Sequence, residues 1–188
     1  MHNIITTLKA LAEVLGRIGA PYMVIGGLAN MVWGTARLTT DIDLALALPE
    51  EDLPNLAADL ADAGFSVLVP EPREFVSQTR VLPVRSKEGI RVDLVFALLP
   101  FEHRAIARAV PISFGDVEVP CCTAEDLIIL KAVSKRPKDR EDIRGIVTRM
   151  GTKLDRGYLL PIIREMAELL ERLDLYGLCR ELERIGDE

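Results

Sequence analysis

Residues 24–44 read VIGGLANMVWGTARLTTDIDL, and this stretch decides the fold of the chain. An apolar segment ends in the pair Gly26-Gly27, and the acids Asp41 and Asp43 begin fourteen residues after that pair. A third aspartate, Asp93, interrupts a second apolar run at residues 91–96. Burying a carboxylate in a strand costs free energy unless the group is paired or binds a metal. Two acid-bearing strands therefore predict a cation site.

The alternation of side chains along a strand predicts how these acids are arranged. Side chains at i and i+2 point to the same face and lie about 6.6 Å apart. Asp41 and Asp43 therefore share a face, while Ile42 and Leu44 point into the core. If the strand that carries Asp93 lies alongside, at about 4.8 Å, three carboxylates converge. Such oxygen ligands favour Mg²⁺ or Mn²⁺, and paired metals of this kind support in-line displacement at phosphorus.

The glycine pair lies where a predicted strand gives way to a short predicted helix. Glycine has no side chain, so its backbone can approach a ligand closely. The first N–H groups of a helix are unpaired and favour an anion. Gly26 and Gly27 are therefore predicted to lie against a phosphate.

The chain combines Ile25-Gly26-Gly27, a spacer of thirteen residues, Asp41-Ile42-Asp43 and the later Asp93. This combination resembles the nucleotidyltransferase superfamily typified by DNA polymerase β. The segment Arg37-Leu38-Thr39-Thr40, just before the acids, resembles the bacterial branch that includes the AbiEii-type toxins and minimal nucleotidyltransferases. The resemblance covers roughly residues 20–150. It implies an α/β fold, with a small, mixed, twisted sheet, flanking helices and a helical C-terminal extension.

The resemblance also implies an activity and a set of roles. A nucleoside monophosphate would move from a nucleoside triphosphate (NTP) to an acceptor hydroxyl, with Mg²⁺ or Mn²⁺ as the cofactor. Asp41, Asp43 and Asp93 would hold the metals, and Asp93 would also help to deprotonate the acceptor. Gly26 and Gly27 would seat the β and γ phosphates. Positioning and neutralisation of charge would supply most of the catalysis.

Five further residues are predicted to bind the nucleotide: Arg37, Thr40, Lys131, Asp139 and Asp142. Arg37 precedes the acids by four residues and could reach a phosphate or form a surface ion pair. The related toxins carry a helical lysine in a position corresponding to Lys131, where it contacts the nucleotide phosphates; an exposed helical lysine is the other interpretation. Asp139 and Asp142 share a helix face and resemble the branch's Asp-x-x-Asp element. They could position Lys131 or a base edge, or simply complement the helix dipole.

The acceptor stays open between a tRNA end, a partner protein encoded nearby and a small molecule such as an aminoglycoside. The net charge of −6 argues against wholesale binding to nucleic acid. Residues 131–165 nevertheless hold ten basic and five acidic residues, which could face a triphosphate or an RNA end, or form a solvated helix pair. The branch suggests a toxin-antitoxin or phage-defence role. The alternative is a catalytically silent binding module, such as an antitoxin.

Length and composition set the remaining expectations. A chain of 188 residues favours one domain with a helical appendage, predicted as a nucleotidyltransferase domain at 1–150 and a helical extension at 151–188 that packs on it. No run of eighteen uncharged apolar residues is present, so no membrane span is predicted. The cysteines lack the spacing of a disulfide framework or a zinc site, which favours the reduced cytoplasm. His103 has no partner with metal spacing and is predicted to lie on the surface or in a loop.

Apolar periodicity and turn residues predict the order of elements. Pro70–Glu74 is predicted to be a loop between strands, because proline lies near both of its ends. Helices are predicted at 4–18, 28–33, from Pro49 to Gly64, from Thr123 to about Lys135, and at 138–150, 156–173 and 175–185. Strands are predicted at 22–25, 41–48, 65–69, 79–86 and 90–97, with a second hairpin at 112–120.

Overall fold

A computed structural model of the chain describes residues 1–134 and 136–184. The contacts within the chain divide it into two units. One contains Met1–Leu28 and Leu38–Cys122 and includes the strands; it is called the sheet unit below. The other contains Ala29–Arg37 and the chain from Thr123 onward, and it is called the helical unit.

The sheet unit is built on a mixed sheet. Its strands are β1 (Tyr22–Ile25), β2 (Asp41–Leu46), β3 (Ser66–Val67), β4 (Val81–Arg85), β5 (Arg91–Phe96), β6 (Val110–Phe114) and β7 (Val117–Cys121). In the described part of the chain they form one sheet in the order β3-β4-β5-β2-β1-β7-β6. The pairs β1–β7 and β2–β5 are parallel, and the other neighbours are antiparallel. β2 and β5 are thus interior strands, and both carry aspartates.

Amphipathic helices cover this sheet. They are α1 (His2–Arg17), α3 (Leu53–Asp62), α4 (Pro72–Thr79) and α5 (Pro100–Ala107), with a 3₁₀ turn at Glu50–Asp52. Helix α2 (Gly26–Trp33) begins in the sheet unit and ends in the helical unit. In α1 the buried Leu8, Leu11 and Leu15 recur at intervals of three and four residues, which is the stripe that a helix presents to a core. This stripe lies against β2, β7 and α3.

The helical unit is organised around α6 (Ala124–Val133). The Thr123 hydroxyl accepts a hydrogen bond from the Asp126 N–H at 3.2 Å, which caps the start of α6 as its sequence predicts. Helix α6 is buried along almost its whole length and contacts both α7 (Pro137–Met150) and α8 (Arg156–Leu169). Helix α9 (Leu173–Arg184) packs on α8, and a 3₁₀ turn at Gly151–Lys153 precedes α8. Apolar residues on every face of α6 reflect its central position.

The predicted fold class is confirmed: a mixed sheet is flanked by helices, and the chain ends in helices. Both predicted hairpins form, between β4 and β5 and between β6 and β7. The domain boundary near residue 150 stays a prediction, and the contacts group residues 123–150 with the helices that follow them. In the part of the chain that is described, none of the helices has the length and apolar character that crossing a membrane requires.

Several details of the prediction are wrong. The segment Pro70–Glu74 is not a loop throughout, because Pro72 starts helix α4; proline is as suitable at the first position of a helix as in a loop. Helix α5 was not predicted, although the prediction that His103, which lies in it, is at the surface is confirmed. Strand β2 ends at Leu46 rather than at residue 48, and β3 is only two residues long. The helix ends predicted at Lys135 and at Ile185 lie outside the described residues.

Candidate active site

The three predicted metal ligands lie on two neighbouring strands. β2 and β5 are parallel and in register, so that Asp43 is directly opposite Asp93 and Asp41 is opposite Arg91. Registered residues of adjacent strands point to the same face of a sheet, about 4.8 Å apart. The backbone therefore brings the three aspartates together, as the alternation of side chains along the strands predicts.

Burial confirms which face the acids occupy. Ile42 and Leu44 on β2, and Val92 and Leu94 on β5, are fully buried. The aspartates between them are only partly buried. The core-facing residues thus hold the two strands in the sheet, while the acids are presented to solvent at its other face.

Arg91 is the first partner that sequence analysis missed. Its guanidinium lies 3.0 Å from Oδ1 of Asp93, two residues further along β5. The signal was present in the sequence, since an arginine at i and an aspartate at i+2 of a strand share a face. The arginine side chain is half exposed and that of Asp93 is 23 % exposed. An exposed pair of this kind contributes about 0–1 kcal/mol, so a stronger ligand can replace it.

Thr39 is the second partner that sequence analysis missed. Its side chain is buried, and its hydroxyl donates to Oδ1 of Asp41 at 3.0 Å. The same hydroxyl lies 3.3 Å from the backbone carbonyl of Asp41. The i, i+2 spacing of Thr39 and Asp41 was again the available signal. Thr39 thus orients the first acid of the pair.

Gly26 lies against the second acid. Strand β1 ends at Ile25, which is opposite Asp43 on β2, so the chain turns directly beside that carboxylate. Gly26 adopts a φ of +64°, a left-handed conformation that side chains rarely tolerate. A Cβ added there would overlap the carboxylate, with Cγ of Asp43 only 2.6 Å away. Glycine is therefore required here by both conformation and space.

Gly27 is equally constrained, but by a different neighbour. A Cβ at this position would lie 2.5 Å from Oγ1 and 2.9 Å from Cβ of Thr39. The space that was predicted to admit a phosphate beside Gly27 is thus taken on this side by the threonine. Phosphate contact at the glycine pair stays a prediction, and it would have to use the N–H groups at the start of α2.

The three aspartates suit a divalent cation, both in the chemistry of their carboxylates and in the positions that the backbone gives them. Three carboxylates share one face of two adjacent strands, and hard oxygen ligands are those that Mg²⁺ and Mn²⁺ prefer. Within residues 1–134 and 136–184, no three His, Cys, Asp or Glu side chains are grouped closely enough to hold a metal ion. Asp93 accepts a hydrogen bond from Arg91, and Asp41 accepts one from Thr39. Metal binding by the three acids stays a prediction.

Four of the other predicted nucleotide ligands form a charged cluster in the helical unit: Arg37, Lys131, Asp139 and Asp142. Lys131 is 5 % exposed, and its ammonium lies 3.2 Å from Oδ1 of Asp139 and 2.6 Å from Oδ2 of Asp142. Both acids, which lie one turn apart on α7, are themselves buried. Lys131 is thus not an exposed helical lysine. Its ammonium is bound by protein carboxylates, and its role at phosphate stays a prediction.

Two arginines complete the cluster. Arg37 lies 3.2 Å from Oδ1 of Asp142, and Arg136 lies 2.7 Å from Oδ2 of Asp139. Burial by itself raises the pKa of each acid, but hydrogen bonds and the positive charges around them outweigh burial and leave the pKa of both Asp139 and Asp142 lowered. Both acids are therefore ionised at neutral pH, and the ion pairs join α6 and α7 to the segment that carries Arg37. Thr40, the remaining predicted ligand, is exposed just before β2.

A family model described as "nucleotidyl transferase of unknown function (DUF2204)" matches residues 4–184. Among the curated proteins, no match is found.

The fold is also similar to those of several solved structures. One is the crystal structure of ANT(2″)-Ia in complex with adenylyl-2″-tobramycin, with a TM-score of 0.53, 19 % identity and coverage of 79 % of this chain and 90 % of that one. Another is the lincosamide antibiotic adenylyltransferase LnuA with lincomycin bound, with a TM-score of 0.50, 15 % identity and coverage of 74 % and 93 %. A third is an antigenic nucleotidyltransferase-like protein from Paracoccidioides brasiliensis, with a TM-score of 0.54, 16 % identity and coverage of 95 % and 93 %. At these identities the similarity is one of fold.

Proposed function

Since the chain belongs to this nucleotidyl transferase family and is a nucleotidyltransferase enzyme, we propose that it transfers AMP from ATP to a hydroxyl of a small molecule, with divalent metal held by Asp41, Asp43 and Asp93. The family match supports the nucleotidyltransferase superfamily that the motifs predicted. The AbiEii-type branch, the toxin-antitoxin context, a partner protein and a cytoplasmic location stay predictions.

The observation that carries the metal-dependent proposal is the register of β2 and β5. Asp43 opposes Asp93, and Asp41 lies on the same face two residues away. Among the described residues, the Arg91 guanidinium lies 3.0 Å from the Asp93 carboxylate, and the arginine side chain is half exposed. Three carboxylates on one face of two adjacent strands concentrate negative charge that a divalent cation would neutralise.

The proposed reaction is an in-line displacement. The acceptor hydroxyl oxygen attacks the α-phosphorus of the nucleotide, a new phosphate ester bond forms, and pyrophosphate leaves. When bound, a divalent cation would neutralise charge on the phosphates and make the acceptor hydroxyl more acidic.

The chain's own residues would supply positioning. Thr39 holds the Asp41 carboxylate through its hydroxyl. Gly26 lets the chain turn directly beside Asp43. We propose that Asp93 takes the acceptor proton after its carboxylate leaves Arg91. We further propose that the N–H groups at the start of α2 bind the leaving phosphates, and that Arg37, Thr40, Lys131, Asp139 and Asp142 serve the nucleotide directly or by positioning.

The acceptor class is proposed from the structures of similar fold. One of them contains adenylyl-2″-tobramycin and another contains lincomycin. Both compounds are small molecules, which favours a small hydroxylated acceptor over a protein or a tRNA end. The same two structures favour ATP as the nucleotide, because one contains an adenylylated compound and the other is an adenylyltransferase.

The test is transfer of label from α-³²P NTPs, with Mg²⁺ or Mn²⁺, to a panel of aminoglycosides, lincosamides, total tRNA and cell lysate. Label is expected on a small molecule, with ATP as donor. Asp41→Asn, Asp43→Asn and Asp93→Asn should each remove almost all transfer, and combining them should add little, because the three act as a unit. Asp62→Asn, an exposed acid of α3, is the matched control and should retain activity.

Each other outcome has a distinct meaning. Label on tRNA or on a protein would overturn the acceptor class but not the transferase. Transfer that survives in the triple variant would overturn the site. A wild-type chain that binds NTP and transfers no label to any acceptor would favour the silent binding module.

A further inference from the structure

A cavity of about 940 Å³ lies within the helical unit, and Lys131 is the lining residue that the mechanism above also uses. It is bounded by the end of α6 and by the facing sides of α7 and α9. Pockets that hold small organic ligands have volumes of about 300–1,000 Å³. The cavity is therefore large enough for a molecule with two or three rings.

The cavity has an apolar base. Ile143 and Val147 of α7 and Leu175 and Leu182 of α9 line it, and all four are buried side chains of the unit's core. Leu178 of α9 lines it as well and is half-buried. A ligand seated here would cover apolar surface, and removing such surface from water is the main source of affinity in pockets of this kind.

Basic side chains outnumber acidic ones around this base. Among the residues that the structure describes, four basic and two acidic residues line the cavity. Arg140 and Arg144 are four residues apart on α7, so they project from the same face of that helix. Both arginines form exposed ion pairs: Arg140 donates a hydrogen bond of 3.4 Å to Asp174, and Arg144 lies 3.9 Å from Glu181. Exposed pairs at such distances contribute little, so both guanidiniums can bind an incoming anion.

The other two basic residues are held by the protein. Arg172 forms two hydrogen bonds of 2.7 Å with Asp174 and a third with the Val133 carbonyl. The bonds from Arg172 lower the pKa of Asp174 to about 2, so this pair persists at any physiological pH. Lys131 is bound by Asp139 and Asp142. Arg172 and Lys131 thus keep their protein partners, whereas the exposed ion pairs of Arg140 and Arg144 can be replaced by a bound anion.

We propose that this cavity binds a small amphipathic anion, with an apolar ring system on the leucine and isoleucine base and a sulfonate, phosphate or carboxylate group between Arg140 and Arg144. The guanidinium is well suited to such groups because it binds two oxygens of a planar or tetrahedral anion at once. This site is argued from the helical unit alone, so it does not depend on the proposed transferase mechanism.

Two dyes that differ in one group test the proposal on the full chain. The first is 1-anilinonaphthalene-8-sulfonate, and the second is N-phenyl-1-naphthylamine, which has the same rings and no sulfonate. Fluorescence titration should show saturable binding of both by the folded protein. Arg140→Gln with Arg144→Gln should raise the dissociation constant of the sulfonate dye at least about tenfold, the scale of a hydrogen bond to a charged group. The dissociation constant of the neutral dye should change less than about twofold.

Three further variants keep the result interpretable. Lys138→Gln removes an exposed cation of the same helix that does not line the cavity, and it should bind both dyes like the wild type. Leu178→Trp should narrow the cavity and weaken the binding of both dyes. Arg140→Lys with Arg144→Lys keeps the charges, and its partial recovery of sulfonate binding would separate loss of charge from loss of folding.

The proposal is overturned by any of three results. The glutamine variant could bind the sulfonate dye as tightly as the wild type does. The glutamine variant could bind both dyes more weakly to the same extent, while its thermal unfolding is unchanged. The native protein could bind neither dye at micromolar concentrations.

Discussion

Replacing Gly26 by alanine perturbs the candidate active site at its tightest point. Alanine would have to adopt the φ of +64° that Gly26 has, which costs about 1–2 kcal/mol for a residue with a side chain. Its Cβ would also overlap the Asp43 carboxylate, with Cγ at 2.6 Å. Moving that side chain away from a staggered rotamer costs about 0.5–1.5 kcal/mol more. We therefore expect a loss of about 1.5–3.5 kcal/mol in the free energy of unfolding.

This expectation has a matched control in the same chain. Gly19 has a φ of +66°, and a Cβ added there would meet nothing within 4 Å. Gly19→Ala should therefore incur only the conformational cost of about 1–2 kcal/mol. For proteins of this size 1 kcal/mol corresponds to about 2–4 °C in melting temperature. Gly26→Ala should accordingly lower the melting temperature by about 3–14 °C, and Gly19→Ala by less.

Activity separates the two variants further. Gly26→Ala displaces Asp43, so transfer of label from α-³²P ATP should fall at least about a hundredfold, while Gly19→Ala should keep transfer near the wild-type level. Thermal unfolding by circular dichroism and label transfer are measured on the same preparations. If Gly26→Ala melted like Gly19→Ala and kept its activity, the close contact between Gly26 and Asp43 would be refuted as a constraint on the site.

Three other perturbations test the remaining contacts. Thr39→Val removes the hydroxyl that binds Asp41 and should lower transfer of label by about 10–100-fold, the usual effect of losing a group that orients a ligand. Thr39→Ser keeps the hydroxyl and should transfer label at close to the wild-type rate. Equal activity in both variants would contradict the positioning role of Thr39. Lys131→Met leaves Asp139 and Asp142 buried without their shared cation and should lower the free energy of unfolding by about 3–5 kcal/mol; unchanged urea unfolding would show that the pairs contribute nothing. The lowered pKa values of Asp139 and Asp142 stabilise the folded chain at pH above the ordinary value of 3.8, and this stability is lost as pH falls through the folded pKa values below it. Urea unfolding at pH 6 and at pH 3 should therefore show a smaller difference for Asp139→Asn with Asp142→Asn than for the wild type, and an equal difference would rule the cluster out as a source of acid sensitivity.

Local sequence patterns were sufficient to predict the features that depend only on the spacing of residues along the chain. The alternation in residues 41–44 predicts which side chains of β2 are buried, because the period of a strand is two residues whatever lies around it. Thr123 predicts the start of α6 because an N-cap involves only residues three positions apart. Pro72 was misassigned because proline favours both loops and the first turn of a helix. Only the packing of α4 decides between these two.

What the sequence alone determined is the set of acids and glycines and the superfamily that they indicate. The tertiary structure decided that Asp43 and Asp93 are directly opposite, because strand register depends on residues fifty positions apart in the chain. It also decided that Lys131 is enclosed by Asp139 and Asp142 rather than exposed to solvent. Helical spacing gives the direction of a side chain relative to its own helix. Burial and the choice of ionic partner depend on which other helix packs against it, and that information is distributed over the whole core.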